Sequence, residues 1–246
     1  MEMLLKAIHA ANDHERELFG AARKPFNSSL VRWHSDLRPD QANNNFFYPV
    51  GPIAAEDLTE AEAFQKERGL DYLMLRTGEP LPESLRREFE EEVLYVMALT
   101  QDTSTNWKTN PAVEIRDIQS EDISADLLDV SGVPEEYRDL ARRNMELVLE
   151  VAERNPNYHW YCAYLDGVHA ANVYALCHGG CVEVDDLWVE EDYRHQYIAT
   201  TLMKHIADTL DGTLYLHADA SKTPKDMYAR MGFSVVETVY EYYKEL

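Results

Sequence analysis

The chain has 246 residues, of which 45% are apolar, and a formal net charge of −22. That length supports one large core or two small ones, and that composition a globular fold. The charge argues against a nucleic-acid binder, which needs a basic face, and against docking on anionic membranes. Long-range attraction would suit a cationic small molecule or a basic peptide, and solubility alone explains the acidity equally well.

No apolar run approaches the ~20 residues of a membrane span. The opening "MEMLLKAIHAANDHERE" reads as an ordinary helix, because it lacks a basic start, an apolar block and a small-residue cleavage site. The region up to "RWHSDLRPDQ" shows no clear period. "NNNFFYPV" (43–50) reads as a strand, and "DLTEAEAFQKERG" (57–69) as a helix stopped by Gly69. "LDYLMLRT" reads as a strand, "PESLRREFEEE" as helical and "VLYVMAL" (93–99) as a strand. "TQDTSTNWKTNPA" (100–112) is linker-like, which sets a domain boundary near residue 110.

Beyond it, "VEIRDI" (113–118) alternates like a strand. A helix is expected from about Pro134 to Glu153, with Leu140, Met145, Leu147, Val148, Leu149 and Val151 on its apolar side. Residues 158–189 read as three strands with turns at Asp166-Gly167 and Gly179-Gly180. A helix (about 196–210), a strand (213–220), a short helix (about 223–231) and a final strand (233–243) follow. The order β, α, β-β-β, α, β, α, β predicts an α/β protein with a mixed sheet and helices on its faces. The β-α-β-α-β order of residues 43–99 echoes that of 182–242 at similar spacing, the mark of a diverged internal duplication without residue identity.

Three cysteines, Cys162, Cys177 and Cys181, cannot all pair with one another, which suggests a reducing cytoplasm. "CHGGC" (177–181) lacks a second Cys pair and reads as a hairpin turn, so no metal site is expected.

The chemistry-bearing stretch is "VEVDDLWVEEDYRHQYIATTLMKHI". A strand leads through an acidic turn into a helix whose first N–H groups carry partial positive charge and attract phosphate oxygens. Arg194 stands just before that helix and adds donors. A strand with freed backbone groups beside a phosphate site suits a ligand with a pyrophosphate and an amide-rich arm, which is coenzyme A. Leu187-Trp188-Val189 followed by Arg194-His195-Gln196-Tyr197-Ile198-Ala199 resembles the acetyl-CoA loop of the GNAT superfamily of N-acetyltransferases, Leu-x-Val and then Gln/Arg-x-x-Gly-x-Gly/Ala. "SKTPKDMYARMGF" resembles the family's second motif at Tyr228, Gly232 and Phe233, with Ser221 in place of its Asn and Pro224 in place of its Ala. The resemblance covers residues 111–246. It implies a GNAT-like acyltransferase domain there, while the spacing echo makes residues 1–110 an accessory domain, expected to be a degenerate copy of the same fold that closes over the acceptor or makes a homodimer contact.

The resemblance implies acetyl transfer from acetyl-CoA to a primary amine of a small molecule or peptide, by direct attack. Cofactor contacts map to Leu187, Trp188, Val189, Arg194, His195, Gln196, Tyr197, Ile198, Ala199, Thr200, Ser221 and Tyr228. The oxyanion donor maps to the Val189 N–H and the thiolate's proton donor to Tyr228. Glu183 is the favoured base, with Asp185, Asp186, His159, His169 and His217 as alternatives. Period 2 puts Glu183 and Asp185 on one strand face and Asp186 on the other unless a bulge shifts the phase. The departure is Tyr197 where the family has glycine. A helix's first turn has negative φ, so a tyrosine is expected to fit there and still present its N–H. The competing class is a non-catalytic CoA-binding sensor or scaffold with a relaxed loop.

Overall fold

The computed structural model describes residues 1–246 except 40, 102, 119–134, 136 and 137. The expected helix start at Pro134 lies outside the described residues. Chain contacts divide the molecule into two compact units. The first holds Met1, Asp13–Met97 and His217–Leu246, and the second Glu2–Asn12 and Ala98–Leu216. The linker near residue 110 therefore falls inside the second unit, and the helix α1 (Glu2–Leu18) contributes residues to both.

In the first unit, β1 (Ala21–Pro25), β2 (Leu30–Ser35) and β3 (Phe47–Pro49) form an antiparallel meander. The helix α2 (Ala55–Glu67) crosses over to β4 (Tyr72–Thr77), which pairs parallel to β3. A short α3 (Glu83–Arg86) precedes β5 (Glu90–Ala98), and the chain's last strand, β11 (Ser234–Glu245), pairs antiparallel to β4. The strand order is β1-β2-β3-β4-β11-β5. Leu30, Phe47, Leu58, Leu73, Leu75 and Tyr242 form a core cluster, and the Tyr242 hydroxyl accepts the Leu81 N–H at 3.0 Å.

Two readings are corrected here. The segment 21–35, which shows no period, is a hairpin; its outer strand alternates poorly because only Ala21 of its five residues is buried. The helical reading of "PESLRREFEEE" holds for one turn only, after which Glu90, Glu91 and Glu92 enter β5 with exposed side chains. Pairing within the sheet outweighs the helix propensity of a glutamate run.

In the second unit, β6 (Val113–Asp117), β7 (Tyr158–Leu165), β8 (Val168–His178) and β9 (Cys181–Val189) form an antiparallel meander. The helix α4 (Arg138–Arg154) buries Val148, Leu149, Val151 and Ala152. After β9 the helix α5 (Ile198–Thr209) buries Ile198, Leu202, Met203 and Ile206, spaced to share one face. It crosses over to β10 (Thr213–Asp219), which pairs parallel to β9. The short α6 (Pro224–Arg230), which belongs to the first unit, then leads to β11. Each unit thus repeats one scheme: an antiparallel meander, a crossover helix and a parallel strand. "CHGGC" is the β8–β9 hairpin, with Cys177 opposite Val182 and His178 opposite Cys181. All three cysteines are free thiols. No described helix is long and apolar enough to cross a membrane.

Candidate active site

The parallel ladder joins Cys181, Val182 and Glu183 to Thr213, Leu214 and Tyr215, and is described no further along either strand. Beyond Glu183, β9 continues for six residues with its β10-side edge outside the ladder. On the other side, Ala171 pairs with Val189, while the Glu190 N–H donates to the Ala170 carbonyl at 2.9 Å. Hydrogen-bonded and non-hydrogen-bonded pairs alternate in an antiparallel ladder, so Val189 turns its own N–H and C=O toward the open edge. The Val189 carbonyl there accepts Arg194 Nε at 3.1 Å.

A bulge interrupts β9 between these ends. Tyr174 faces Asp185 and Asn172 faces Trp188, so β9 carries one extra residue. Asp186 sits in the bulge with φ of 48°, and its carbonyl accepts Asn172 Nδ2 at 3.2 Å. The extra residue breaks the simple alternation that the strand pattern would give to Glu183, Asp185 and Asp186. Asp186 keeps exposed surface, yet the surrounding protein crowds its carboxyl. That crowding, with Asp185 next to it, pushes its carboxyl up to about 6. Glu183 is 9% exposed, and its Oε2 accepts the Tyr215 hydroxyl at 2.9 Å.

After β9 the chain makes a single 3-10 turn at Glu191–Tyr193 and reaches α5. Tyr197 is the N-cap of α5 with φ 61° and ψ 19°, and His195 has φ 63°. This corrects the expectation of negative φ at Tyr197. The position lies before the first helical turn, and its backbone is left-handed, the conformation that glycine adopts without Cβ strain. Alternating signs of φ turn neighbouring N–H groups to one side, as in an anion-binding nest.

The left-handed Tyr197 is held from two directions. Its carbonyl accepts the Thr201 N–H at 2.9 Å and Thr201 Oγ1 at 2.7 Å. Segment 108–110 is stitched to the same turn. Thr200 Oγ1 donates to the Lys108 carbonyl at 2.7 Å, the Asn110 N–H donates to Thr201 Oγ1 at 2.9 Å, and Asn110 Nδ2 donates to the Gln196 carbonyl at 3.2 Å. The Tyr197 ring, 50% exposed, points outward with the Lys108 ammonium 5.9 Å from its centre. Arg194 lies with its guanidinium 5.3 Å from the Trp188 ring. Two cations and the N–H groups of the first turn of α5 therefore gather at the start of that helix. Lys108 was not legible from the sequence, because it lies in the linker-like segment and arrives through backbone contacts.

The structure places Leu187, Trp188 and Val189 at the end of β9, His195, Gln196 and Tyr197 in the turn, and Ile198, Ala199 and Thr200 in the first turn of α5. Tyr228 lies on α6, 8% exposed, with its ring edge-on to Phe233 at 5.9 Å between centroids. Ser221 is turned to Asp219, whose Oδ1 accepts both its N–H (2.7 Å) and its Oγ (2.6 Å). Of the histidines, His159 Nδ1 is 2.8 Å from Asp117 on β6, and burial lowers the affinity of His169 for its proton. In the first unit, a cavity of about 350 Å³ lined by Glu90, Glu91, Glu92 and Glu241 also escaped the sequence reading. Burial, then Asp219 and Glu241, raise the Glu92 carboxyl.

A meander, a bulged strand that parts from its parallel neighbour and a crossover helix make up the α/β arrangement around this turn. Residues 156–235 match the family model of the acetyltransferase (GNAT) domain. A conserved protein of unknown function from Staphylococcus epidermidis superposes with a TM-score of 0.79 at 17% identity, over 92% of this chain and 95% of that one. A GCN5-related N-acetyltransferase from Sphaerobacter thermophilus gives 0.62 at 14% identity, over 97% and 91%. A tandem GNAT protein from the clavulanic acid biosynthesis pathway gives 0.59 at 10% identity, over 88% and 78%. No curated protein matches the chain. The chain thus matches the GNAT domain over residues 156–235 and shares the fold of the solved GNAT proteins over most of its length, the N-terminal half included.

Proposed function

We propose that the protein moves an acetyl group from acetyl-CoA to a primary amine of a small molecule or peptide. The observation that carries this reading is the parting of β9 from β10 after Glu183, directly ahead of the cationic start of α5. An open strand edge offers N–H and C=O groups to the amides of the pantetheine arm. The turn N–H groups, Arg194 and Lys108 suit the pyrophosphate. Arg194 would release or share its bond to Val189 to take part.

In this reading the neutral amine attacks the thioester carbonyl. The C–N bond forms, the Val189 N–H donates to the developing oxyanion, and the C–S bond then breaks. Glu183, directly or through a water, takes the amine's proton. Tyr228 gives a proton to the departing thiolate, a role that comes from the motif resemblance. The acidic chain favours a cationic acceptor. Three free thiols, all raised by burial and Cys177 also by Asp211, suit a reducing cytoplasm.

A second reading makes Asp186 the base, favoured by its carboxyl at about 6 and its exposed surface. Transfer to a panel of polyamine, aminoglycoside and peptide amines tests both. Glu183→Gln abolishes turnover on the first reading, and Asp186→Asn on the second. Acetyl-CoA binding without turnover on any amine leaves the sensor reading, and no binding removes both.

A further inference from the structure

Tyr215 is wholly buried, so its hydroxyl must be satisfied by protein. It lies 2.9 Å from Glu183 Oε2 and 2.9 Å from Asn12 Oδ1. The first contact follows from the ladder, in which Tyr215 pairs with Glu183 in parallel register and shares its face. The second brings in α1. Asn12 is 8% exposed and belongs to the stretch Glu2–Asn12 that clusters with the second unit. Three polar side chains from three elements thus meet where solvent hardly reaches.

We propose that Tyr215 and Asn12 are positioning residues for the Glu183 carboxylate, so that the chain's first helix completes the proton-accepting end of β9. The inference rests on the reading of Glu183 as base. A hydroxyl has one proton and two lone pairs, so the trio has two complementary arrangements. With Glu183 ionised, the Tyr215 proton points to Oε2 and holds the carboxylate. When Glu183 has taken a proton, it can donate to the Tyr215 oxygen, and the Tyr215 proton turns to Asn12 Oδ1. The carboxyl group keeps a partner in both states, and its orientation is fixed throughout the reaction.

Each residue then favours a different state of Glu183. Tyr215→Phe keeps the ring volume and removes the donor to the ionised form. The Glu183 titration midpoint should rise by about one to two pH units. Asn12→Ala removes the acceptor that serves the protonated form, so the midpoint should fall, by less. The full-length protein labelled with 13C at glutamate side-chain carboxyls gives the readout by NMR, with Glu183 identified as the signal missing in Glu183→Gln. A rise with Tyr215→Phe and a fall with Asn12→Ala support the proposal, and the acid limb of transfer should move in the same directions. A midpoint unchanged in either variant overturns it, whatever the transfer assay shows. Shifted midpoints with full transfer by Glu183→Gln would leave the carboxyl held but outside the reaction, which overturns the Glu183 reading and this role with it.

Discussion

Tyr197 stands where glycine would carry the left-handed turn, and the comparison of Tyr197→Gly with Tyr197→Ala measures what that substitution costs. Both variants remove the ring and its contact with the Lys108 ammonium, so that loss cancels. At φ 61° a Cβ costs about 1–2 kcal/mol, which alanine keeps and glycine relieves. Glycine loses more conformational freedom on folding, a debit of about 0.5–1 kcal/mol. The glycine variant should therefore be the more stable of the two by about 0.5–1 kcal/mol. For a chain of this size that is about 1–4 °C in melting temperature. Differential scanning calorimetry on both variants, with the transition of the second unit followed, gives the comparison. An alanine variant as stable as the glycine one would refute a strained turn at Tyr197. Acetyl-CoA affinity should survive in Tyr197→Gly, because the proposed site would use the residue's N–H and not its ring.

Asp186 gives a pH prediction with a definite sign. Its folded carboxyl, at about 6, holds a proton more tightly than in the unfolded chain, so stability falls as pH rises from about 4 to about 6. Asp186→Asn, which tolerates φ 48°, should raise the melting temperature at pH 7.5 and leave it unchanged below pH 4; an equal gain at both would contradict the raised carboxyl. Arg194→Ala and Lys108→Ala should each weaken acetyl-CoA about ten-fold in calorimetric titration, more at low salt than high. Unchanged affinity in both would move the phosphates elsewhere. Leu75, wholly buried in the first unit's core, should cost about 2–5 kcal/mol as alanine in urea unfolding, and a loss below 1 would deny that cluster its role.

Much of the second unit was legible because its signals are local. Alternating strands, Asp166-Gly167 and Gly179-Gly180 turns and the α5 stripe each announce themselves within a dozen residues. The hairpin 21–35 was not, because its outer strand is largely exposed and its partner is defined by pairing rather than by pattern. The position of the turn ahead of α5 could be read from Leu187-Trp188-Val189 and Arg194, but its backbone could not. The left-handed Tyr197 depends on bonds from Thr201, in a turn that Thr200, Thr201 and Gln196 tie to segment 108–110, and no periodicity encodes them. Likewise the bulge at Asp186 and the meeting of Asn12 with Tyr215 arise from register and packing between residues as many as 203 positions apart.

The central claim is that acetyl-CoA lies along the open edge of β9 and against the start of α5. Amide hydrogen exchange with and without saturating acetyl-CoA tests it directly, since each segment reports separately. The account predicts slowed exchange in residues 184–201 and in segment 108–110. Slowed exchange confined to other segments, or none at all with millimolar acetyl-CoA, would contradict it.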